Sequence, residues 1–277
     1  MIMPVEPVPY EELPLGRLDP QRIEALWCYG ATAARRQLVL PDGRMDLVAH
    51  CTLTPQKHIA AVWLAVAGPA DEPARVAAGA DRMSFGVRFR IGWGGACLGV
   101  EPATLRNRVV VGRDAERLLG APAQVLLGAR SLQELREALV HAAGMIGSRP
   151  RQPTVGQARA LQAISSLQHG SGPLRGAVQS TGRTLRRDVL AAAGLPLRSL
   201  AGILRFQRAM AMLHAGTADS LCELALAAGY SDQAHMTREF RRFGGFTPAL
   251  PQAAPIIDAV VPQAALAHGR NLQDLCI

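Results

Sequence analysis

The hydrophobic and polar positions in the first half of the chain alternate in short runs that are typical of β-strands. Predicted strands cover Gln37 to Leu40, Met45 to Ala49, His58 to Ala67, Met83 to Ile91 and Arg108 to Val111. Pro41-Asp42-Gly43 separates the first two, and Asp-Gly tolerates the positive φ that a tight hairpin demands. We therefore expect a β-rich N-terminal domain in which the first two runs form a hairpin.

Beyond Gly112 the apolar spacing becomes helical. One predicted helix covers Ala115 to Leu119, and a second follows Ser131. On one face of the second helix lie Leu132, Leu135, Leu139 and Ala142. Ser131 with Glu134 three residues later forms a capping box. This helix is a candidate dimerisation element.

Residues 147–156 (GSRPRQPTVG) separate these helices from a second helical region. Two prolines and two glycines with little apolar content are typical of a linker. We expect an effector or dimerisation domain over 1–147, a linker over 148–156, an all-α domain over 157–250 and a proline-broken tail over 251–277. The predicted fold class is α+β.

Two short helices are predicted between Ser220 and Gly245. In the first, Leu221, Leu224, Ala225 and Ala228 recur at helical spacing, so one side must pack on something. Gly229 permits the left-handed backbone that ends a helix sharply. Ser231 is the expected N-cap of the second helix, with Asp232 near its positive end.

The second helix has one apolar and one polar side. Met236, Phe240 and Phe243 share the apolar face. The other side carries Gln233, Ala234, Thr237, Arg238 and Arg241. Arg pairs with guanine, Gln with adenine, and Ala or the Thr methyl with thymine, so this composition suits a helix that reads the DNA major groove. The alternative is an ordinary surface helix of an arginine-rich protein.

A shift of 51 residues superposes a second, degenerate copy of this unit on the first. It aligns Ser180 with Ser231, Leu185 with Met236, Arg187 with Arg238, Val189 with Phe240 and Gly194 with Gly245. The copy would present Arg183, Arg186 and Arg187. Between the copies, an apolar stripe of Ile203, Phe206, Met210 and Leu213 predicts one connecting helix. The two reading helices could then enter successive major grooves, roughly 34 Å apart.

The C-terminal half, which holds both predicted reading helices, is also the more basic half of the chain. The net charge is +8, and residues 151–277 carry 13 basic against 7 acidic side chains, compared with 17 against 15 in residues 1–150. All basic residues except Lys57 are arginine, which suits bidentate contacts to phosphate or guanine. Arg175, Arg198, Arg241 and Arg242 are candidates for phosphate contacts.

The run LRFQRAMAMLHAGTADSLCELALAAGYSDQAHMTREFRRFGGFTP resembles the signature of the AraC/XylS transcription regulators. The resemblance covers about Gly172 to Pro248. It implies that Gln233, Ala234, Thr237 and Arg238 read bases in the second unit, and that Arg183, Arg186 and Arg187 do so in the first. The expected partner is double-stranded DNA, with RNA polymerase, a small-molecule effector and a second copy of the chain as further candidates.

The N-terminal half resembles an uncharacterised, cupin-like branch of these regulators. The resemblance rests on PDGRMDLV at 41–48, VAGP at 66–69, GVRFRIG at 86–92 and LGVEPATLRNRVV at 98–110. Ile91-Gly92 stands where that branch commonly has Pro-Gly. Trp27, Trp63 and Trp93 with Arg88 and Arg90 could line an anion-accepting pocket; alternatively, the tryptophans fill the core and the arginines face solvent.

Other classes of function find less support. A metal-dependent cupin-type enzyme would need clustered ligands, and neighbouring His50 and Cys51 point to opposite faces of a strand, so we expect no metal, no cofactor and no enzymatic activity. Five scattered cysteines indicate neither disulfides nor zinc. A non-specific nucleic-acid-binding protein is a second alternative. No signal-like or membrane-spanning segment is predicted, and the expected compartment is the cytoplasm.

Overall fold

The structure is a computed structural model, and it describes residues 10–30, 35–56, 58–78, 81–149, 152–169, 182–248 and 259–260. Two hydrophobic clusters organise it. The first lies between a β-sheet and the helices that follow it, and the second holds the C-terminal helices together. This mixed architecture confirms the predicted α+β class.

The N-terminal domain contains an antiparallel sheet of six strands in the order β1-β2-β7-β4-β5-β8, and a second sheet in the order β6-β3-β9. The strands are β1 Tyr10–Leu13, β2 Ile23–Gly30, β3 Arg35–Val39, β4 Met45–Leu53, β5 Ile59–Ala67, β6 Ala74–Ala78, β7 Arg82–Phe89, β8 Val109–Val111 and β9 Ala259–Val260. The two residues of β9 pair in parallel with β3, so the chain returns to the N-terminal domain after the C-terminal helices.

Nine helices lie in the described residues. They are α1 Gly94–Leu98, α2 Arg113–Leu119, α3 Ala121–Leu127, α4 Leu132–Gly147, α5 Val155–Gln168, α6 Gly182–Ala193, α7 Leu197–Ala215, α8 Leu221–Ala228 and α9 Gln233–Phe243. A short 3-10 turn covers Pro102–Leu105.

Strand alternation separates the two faces of the six-stranded sheet. Phe85, Val87 and Phe89 of β7 are fully or almost fully buried and pack with α2, α3 and α4. Their neighbours Ser84, Gly86 and Arg88 point to the opposite face. The predicted N-cap of α4 is confirmed, because the Ser131 hydroxyl accepts from the Glu134 amide at 3.1 Å. The Glu134 carboxylate reaches one residue beyond the cap and accepts from the Arg130 amide at 2.8 Å, so the reciprocal bond of a capping box is shifted by one residue.

The predicted hairpin around Gly43 is wrong, although both strands exist. β3 pairs with β6, and β4 pairs with β5 and β7, so the two runs belong to different sheets. The Asp42 side chain accepts from the Arg44 amide at 2.9 Å, which stabilises a local turn without pairing the strands. Leu40, next to this turn, is buried in the C-terminal cluster. Its packing there fixes the path of the chain between the two sheets, so β3 and β4 do not lie side by side.

The two halves of the chain share a contact surface. Leu40 and Ile91 of the N-terminal half belong to the cluster that also holds Phe206 and Phe240. The buried Gln207 side chain of α7 donates to the Pro41 carbonyl at 2.7 Å. The C-terminal helices are therefore docked on the N-terminal domain along α7.

No single helix in the described parts of the chain is long and apolar enough to cross a bilayer. Helices α6 and α7 pass such a test only as a pair, and they meet at a bend of 64°.

Candidate nucleic-acid interface

The predicted pair of helices between Ser220 and Gly245 is present as α8 and α9. Leu224, Ala225 and Ala228 of α8 are fully buried, and α8 ends at Gly229, whose φ is +91°. Met236, Phe240 and Phe243 of α9 are also fully buried, so both predicted apolar faces are confirmed. The Phe240 ring meets the Phe206 ring of α7 edge to face, with centroids 4.9 Å apart.

The N-cap of α9 differs from the prediction by one residue. Asp232 has extended backbone angles and its carboxylate accepts from the His235 amide at 2.6 Å, whereas Ser231 donates to the Asp232 carboxylate at 3.0 Å. The bond to the backbone amide lowers the pKa of Asp232, and so does the bond from Ser231. The carboxylate rather than the hydroxyl satisfies the free amides at the helix start.

The outward side of α9 carries the side chains that the sequence assigns to base reading. Gln233, Ala234 and Arg238 are exposed and Thr237 is half-buried. The Cys222 thiol of α8 donates to the Gln233 amide oxygen at 3.2 Å, which connects the supporting helix to the reading face. These four side chains thus share one accessible surface next to the positive end of α9.

An ion pair braces α9 from behind. Arg205 of α7 lies 3.1 Å from the Glu239 carboxylate, and its guanidinium stacks over the Tyr230 ring at 5.5 Å. His235 reaches the same carboxylate at 3.8 Å. Glu239 therefore neutralises Arg205 on the buried side of α9, and the exposed arginines remain on the other side.

Helix α6 repeats this arrangement at the first unit. Leu185 and Val189 are buried, while Arg183, Arg186 and Arg187 are exposed. Asp188 falls at the position equivalent to Glu239 and pairs with Arg159 of α5 at 2.7 Å. The predicted supporting helix of this unit, with Ser180, falls outside the described residues.

Helices α6 and α9 also end in the same way. Gly194 and Gly245, the two glycines that the 51-residue shift aligns, have φ of +71° and +76°. The shared backbone conformation, the shared buried face and the shared acid–arginine brace are independent signs of one repeated unit.

A single helix joins the two units. Helix α7 spans 19 residues, and Ile203, Phe206 and Met210 of its predicted stripe are buried. Arg208 of α7 donates to the Ala228 carbonyl at the end of α8 and to the Leu167 carbonyl near the end of α5. Through Arg208, α7 holds elements of both units at fixed positions.

The candidate phosphate contacts lie around the edges of this surface. Arg198 at the start of α7 and Arg241 near the end of α9 are exposed. Arg242 turns instead towards the domain contact, where it donates to the Ser199 hydroxyl of α7 at 3.3 Å and lies 3.6 Å from the Asp71 carboxylate of the N-terminal domain. Arg175 falls outside the described residues.

The candidate ligand residues of the N-terminal domain share a sheet face without forming one cluster. Trp27 lies over Gly86, where an added Cβ would be 2.0 Å from the indole. The Trp63 ring of β5 stacks on the ring of its strand partner His50 in β4, with centroids 5.4 Å apart. Arg88 is buried and donates to both oxygens of Asp46, at 3.2 and 3.0 Å.

The remaining candidates of that domain lie apart. Arg90 follows the end of β7, is exposed and donates to the Pro20 carbonyl. Trp93 is buried in the first hydrophobic cluster with Arg22 above its ring. An anion pocket built on these residues stays a prediction. Asp46 already neutralises Arg88, so Arg88 has little charge left to attract an anion.

The sequence did not predict the residues that support α6 and α9 and that join them to the N-terminal domain. Asp71 and Ser199 lie at the domain contact, and neither follows from a periodic pattern. Arg208 could have been found, because it stands one helical turn after Arg205 on the same helix.

Two domain families match the chain. A helix-turn-helix domain matches residues 176–250, and a domain of unknown function (DUF6597) matches residues 12–111. No curated protein matches.

Solved structures of ToxT from Vibrio cholerae share a distant overall likeness. One, from strain O395, has a TM-score of 0.39 and 9% identity, and covers 80% of this chain and 94% of its own. Another, wild-type ToxT from strain SCE256 bound to an unsaturated fatty acid, has a TM-score of 0.38 and 10% identity, with 83% and 96% covered. These scores are too low for any site of ToxT to be placed on this chain.

The family matches agree with the residues that carry the resemblance in the sequence. The helix-turn-helix match includes α6, α7, α8 and α9, and the N-terminal match begins within β1 and ends with β8. The C-terminal part of the chain is thus a helix-turn-helix domain of the AraC type, and it is joined to an N-terminal domain of unknown function.

Proposed function

We propose that this protein is a sequence-specific regulator of transcription that reads two successive major grooves of double-stranded DNA with α6 and α9. The observation that carries the proposal is the repeated reading unit. Each of the two helices buries an apolar face, is braced by an acid–arginine pair and presents arginines to solvent.

The length of α7 suits this mode of binding. Nineteen residues at about 1.5 Å per residue span about 28 Å, which is comparable to the roughly 34 Å between successive major grooves on one face of DNA. A rigid connector of this length would let both reading helices bind at once.

Within the interface we assign two kinds of contact. Gln233, Ala234, Thr237 and Arg238 of α9 would read base edges, as would Arg183, Arg186 and Arg187 of α6. Arg198 and Arg241 would contact phosphates, whereas Arg242 would do so only when it leaves Asp71. The assignment rests on which side chains are exposed and on which side of each helix they lie.

The N-terminal domain would modulate this binding. A cleft of about 380 Å³ lies where the domains meet, lined by Gly92, Val100, Glu101, Gln157, Asp188 and Ala192 among others. Because Asp188 braces α6, a small-molecule effector in this cleft would act directly on the first reading helix. RNA polymerase and a second copy of the chain, held through α4, complete the proposed partners.

Selection of binding sites from random duplex DNA at physiological salt tests the proposal. We expect an enriched motif with two half-sites about one helical turn apart. The Arg186→Ala variant should lose one half-site and the Arg238→Ala variant part of the other, whereas the exposed Arg117 of α2 supplies a control, Arg117→Ala, that should change neither. If the wild-type protein enriches no motif and binds all duplexes equally, it is a non-specific nucleic-acid-binding protein instead.

A further inference from the structure

We propose that Asp71 of the N-terminal domain is a positioning residue for DNA binding, because it competes with the DNA backbone for Arg242 at the end of α9. The inference rests on the proposed function. It adds a regulatory contact through which the N-terminal domain sets how many phosphates the second reading unit can hold.

Asp71 is a buried carboxylate at the contact between the domains. Its side chain is only 2% exposed. It lies in the segment between β5 and β6, and accepts from Arg106 at 3.0 and 2.6 Å and from the Asn107 side chain at 2.9 Å. On its other side are Ser199 of α7 and Arg242 of α9. Two elements of the DNA-binding domain thus converge on one acid of the N-terminal domain.

The carboxylate is charged at neutral pH. Burial alone would raise the pKa of Asp71, but the hydrogen bonds from Arg106 and Asn107 and the charge of Arg106 outweigh burial and lower it. A lasting negative charge therefore faces Arg242.

Arg242 is the partner that can leave. Its nearest nitrogen is 3.6 Å from Asp71, against 2.6 Å for Arg106, and its side chain is 49% exposed. Asp71 would keep both bonds from Arg106 and the bond from Asn107 if Arg242 moved away, so no buried charge would be left unpaired. The release of Arg242 would therefore leave no buried charge unpaired, while its contacts with Asp71 and Ser199 hold it in place as long as the acid is present.

The position of Arg242 makes that exchange matter for DNA binding. It follows Arg241 in the last turn of α9, the helix whose outward side carries Arg238. While Arg242 donates to Ser199 and faces Asp71, its charge is partly neutralised within the protein. An arginine in this state adds little to the counterion release that drives binding to DNA.

Salt titrations of DNA affinity with four proteins test the inference: the parent, Asp71→Asn, Arg242→Gln and the double variant. Each phosphate contact contributes about 0.9 to the slope of log K against log salt. We expect Asp71→Asn to steepen the slope by about 0.9, so that it loses about 3.5-fold more affinity than the parent between 50 and 200 mM salt. The double variant should lose this increment, and Arg242→Gln alone should leave the parental slope nearly unchanged.

The neighbouring Glu72 supplies a matched control, because it is exposed and Glu72→Gln removes the same charge one residue away. It should not steepen the slope. The inference is overturned if the slope of Asp71→Asn equals that of the parent, or if Arg242→Gln alone lowers the slope by a whole phosphate contact, about 0.9. It is also overturned if Glu72→Gln steepens the slope as much as Asp71→Asn does. If Asp71→Asn fails to unfold cooperatively, Ser199→Ala replaces it, because that variant removes the hydroxyl shared by Asp71 and Arg242. Its slope is judged against the parent in the same way.

The titrations use both a selected and a scrambled duplex. Phosphate contacts do not depend on sequence, so the slopes on the scrambled duplex test Asp71 even if the protein shows no preference between the two. Equal parental affinity for both duplexes would refute the proposed function and leave the test of Asp71 intact.

Discussion

Arg238 is the residue on which base discrimination by the second unit should depend most. It is exposed on α9, and Glu239 beside it is already occupied by Arg205. We expect Arg238→Ala to cost roughly 1 to 3 kcal/mol on the preferred site and to relax the preference at one base pair. Competition binding with single-base variants of the site measures this. An equal loss on random DNA would mean that Arg238 contacts only phosphate.

Asp232 gives a second test at the same scale, because structure and sequence choose different N-caps. We expect Asp232→Ala to lower the melting temperature more than Ser231→Ala does, since only Asp232 accepts from a backbone amide of α9. Thermal unfolding followed by circular dichroism distinguishes the two. A larger effect of Ser231→Ala would mean that Ser231 is the N-cap of α9, as the sequence predicts.

The same carboxylate predicts a pH dependence. The folded-state pKa of Asp232 is lowered, so its stabilising effect is present above the ordinary aspartate value of about 4 and is lost as the pH falls through the lower folded value. The difference in melting temperature between the parent and Asp232→Ala should therefore shrink as the pH falls below about 4. A difference that stays constant down to low pH would exclude the charged cap as its source.

At the scale of the element, α9 depends on a buried aromatic contact. Phe240 is fully buried between Phe206 and Phe246, with ring centroids 4.9 and 5.9 Å away. We expect Phe240→Ala to lower the free energy of unfolding by about 3 to 5 kcal/mol. Chemical denaturation measures the loss, with Thr237→Ala on the outward side as the control that should change stability little.

The helices of the C-terminal half were the most predictable elements. Met236, Phe240 and Phe243 recur at helical spacing and all three are buried, because a helix that docks by one face needs only a local pattern to specify it. The same holds for the equivalence of Gly194 and Gly245, which a simple shift of the sequence revealed.

Strand partners were less predictable than strands. The run at β3 and the run at β4 were both expected, yet they do not pair, because pairing depends on where Leu40 packs and not on the turn between them. Strands β1, β2, β6 and β9 and helices α1 and α3 were not anticipated; α1 is only five residues long and contains two glycines, and β9 has only two residues.

Contacts between the halves could not be predicted at all. Asp71 reaches Arg242 across more than half of the sequence, and Gln207 reaches the Pro41 carbonyl. No local pattern encodes such a pair, since each residue alone resembles an ordinary polar surface position. The contact to which we assign a regulatory role is therefore one that only the structure reveals.

At the scale of the whole molecule, the two aligned glycines offer a matched pair for testing how the domains dock. Gly194 and Gly245 share a left-handed backbone, but an added Cβ at Gly194 would lie 2.7 Å from the Pro102 backbone, whereas nothing lies within 4 Å of one at Gly245. Alanine at either position costs about 1 to 2 kcal/mol in backbone strain. Gly194→Ala should also separate α6 from the N-terminal domain.

Limited proteolysis and thermal unfolding measure this difference. We expect Gly194→Ala to accelerate cleavage between α4 and α5 and to lower the melting temperature more than Gly245→Ala does. Equal behaviour of the two variants would show that the contact of α6 with Pro102 does not hold the domains together.

Leu40 and Ile91 lie in the hydrophobic cluster of the DNA-binding helices although both belong to the N-terminal half. We therefore expect the two halves to unfold together, although they differ in sequence character. The intact protein should show one calorimetric transition. A fragment that begins at residue 152 should be less stable than the same helices in the full chain, because it would leave exposed the apolar surface that those two side chains cover.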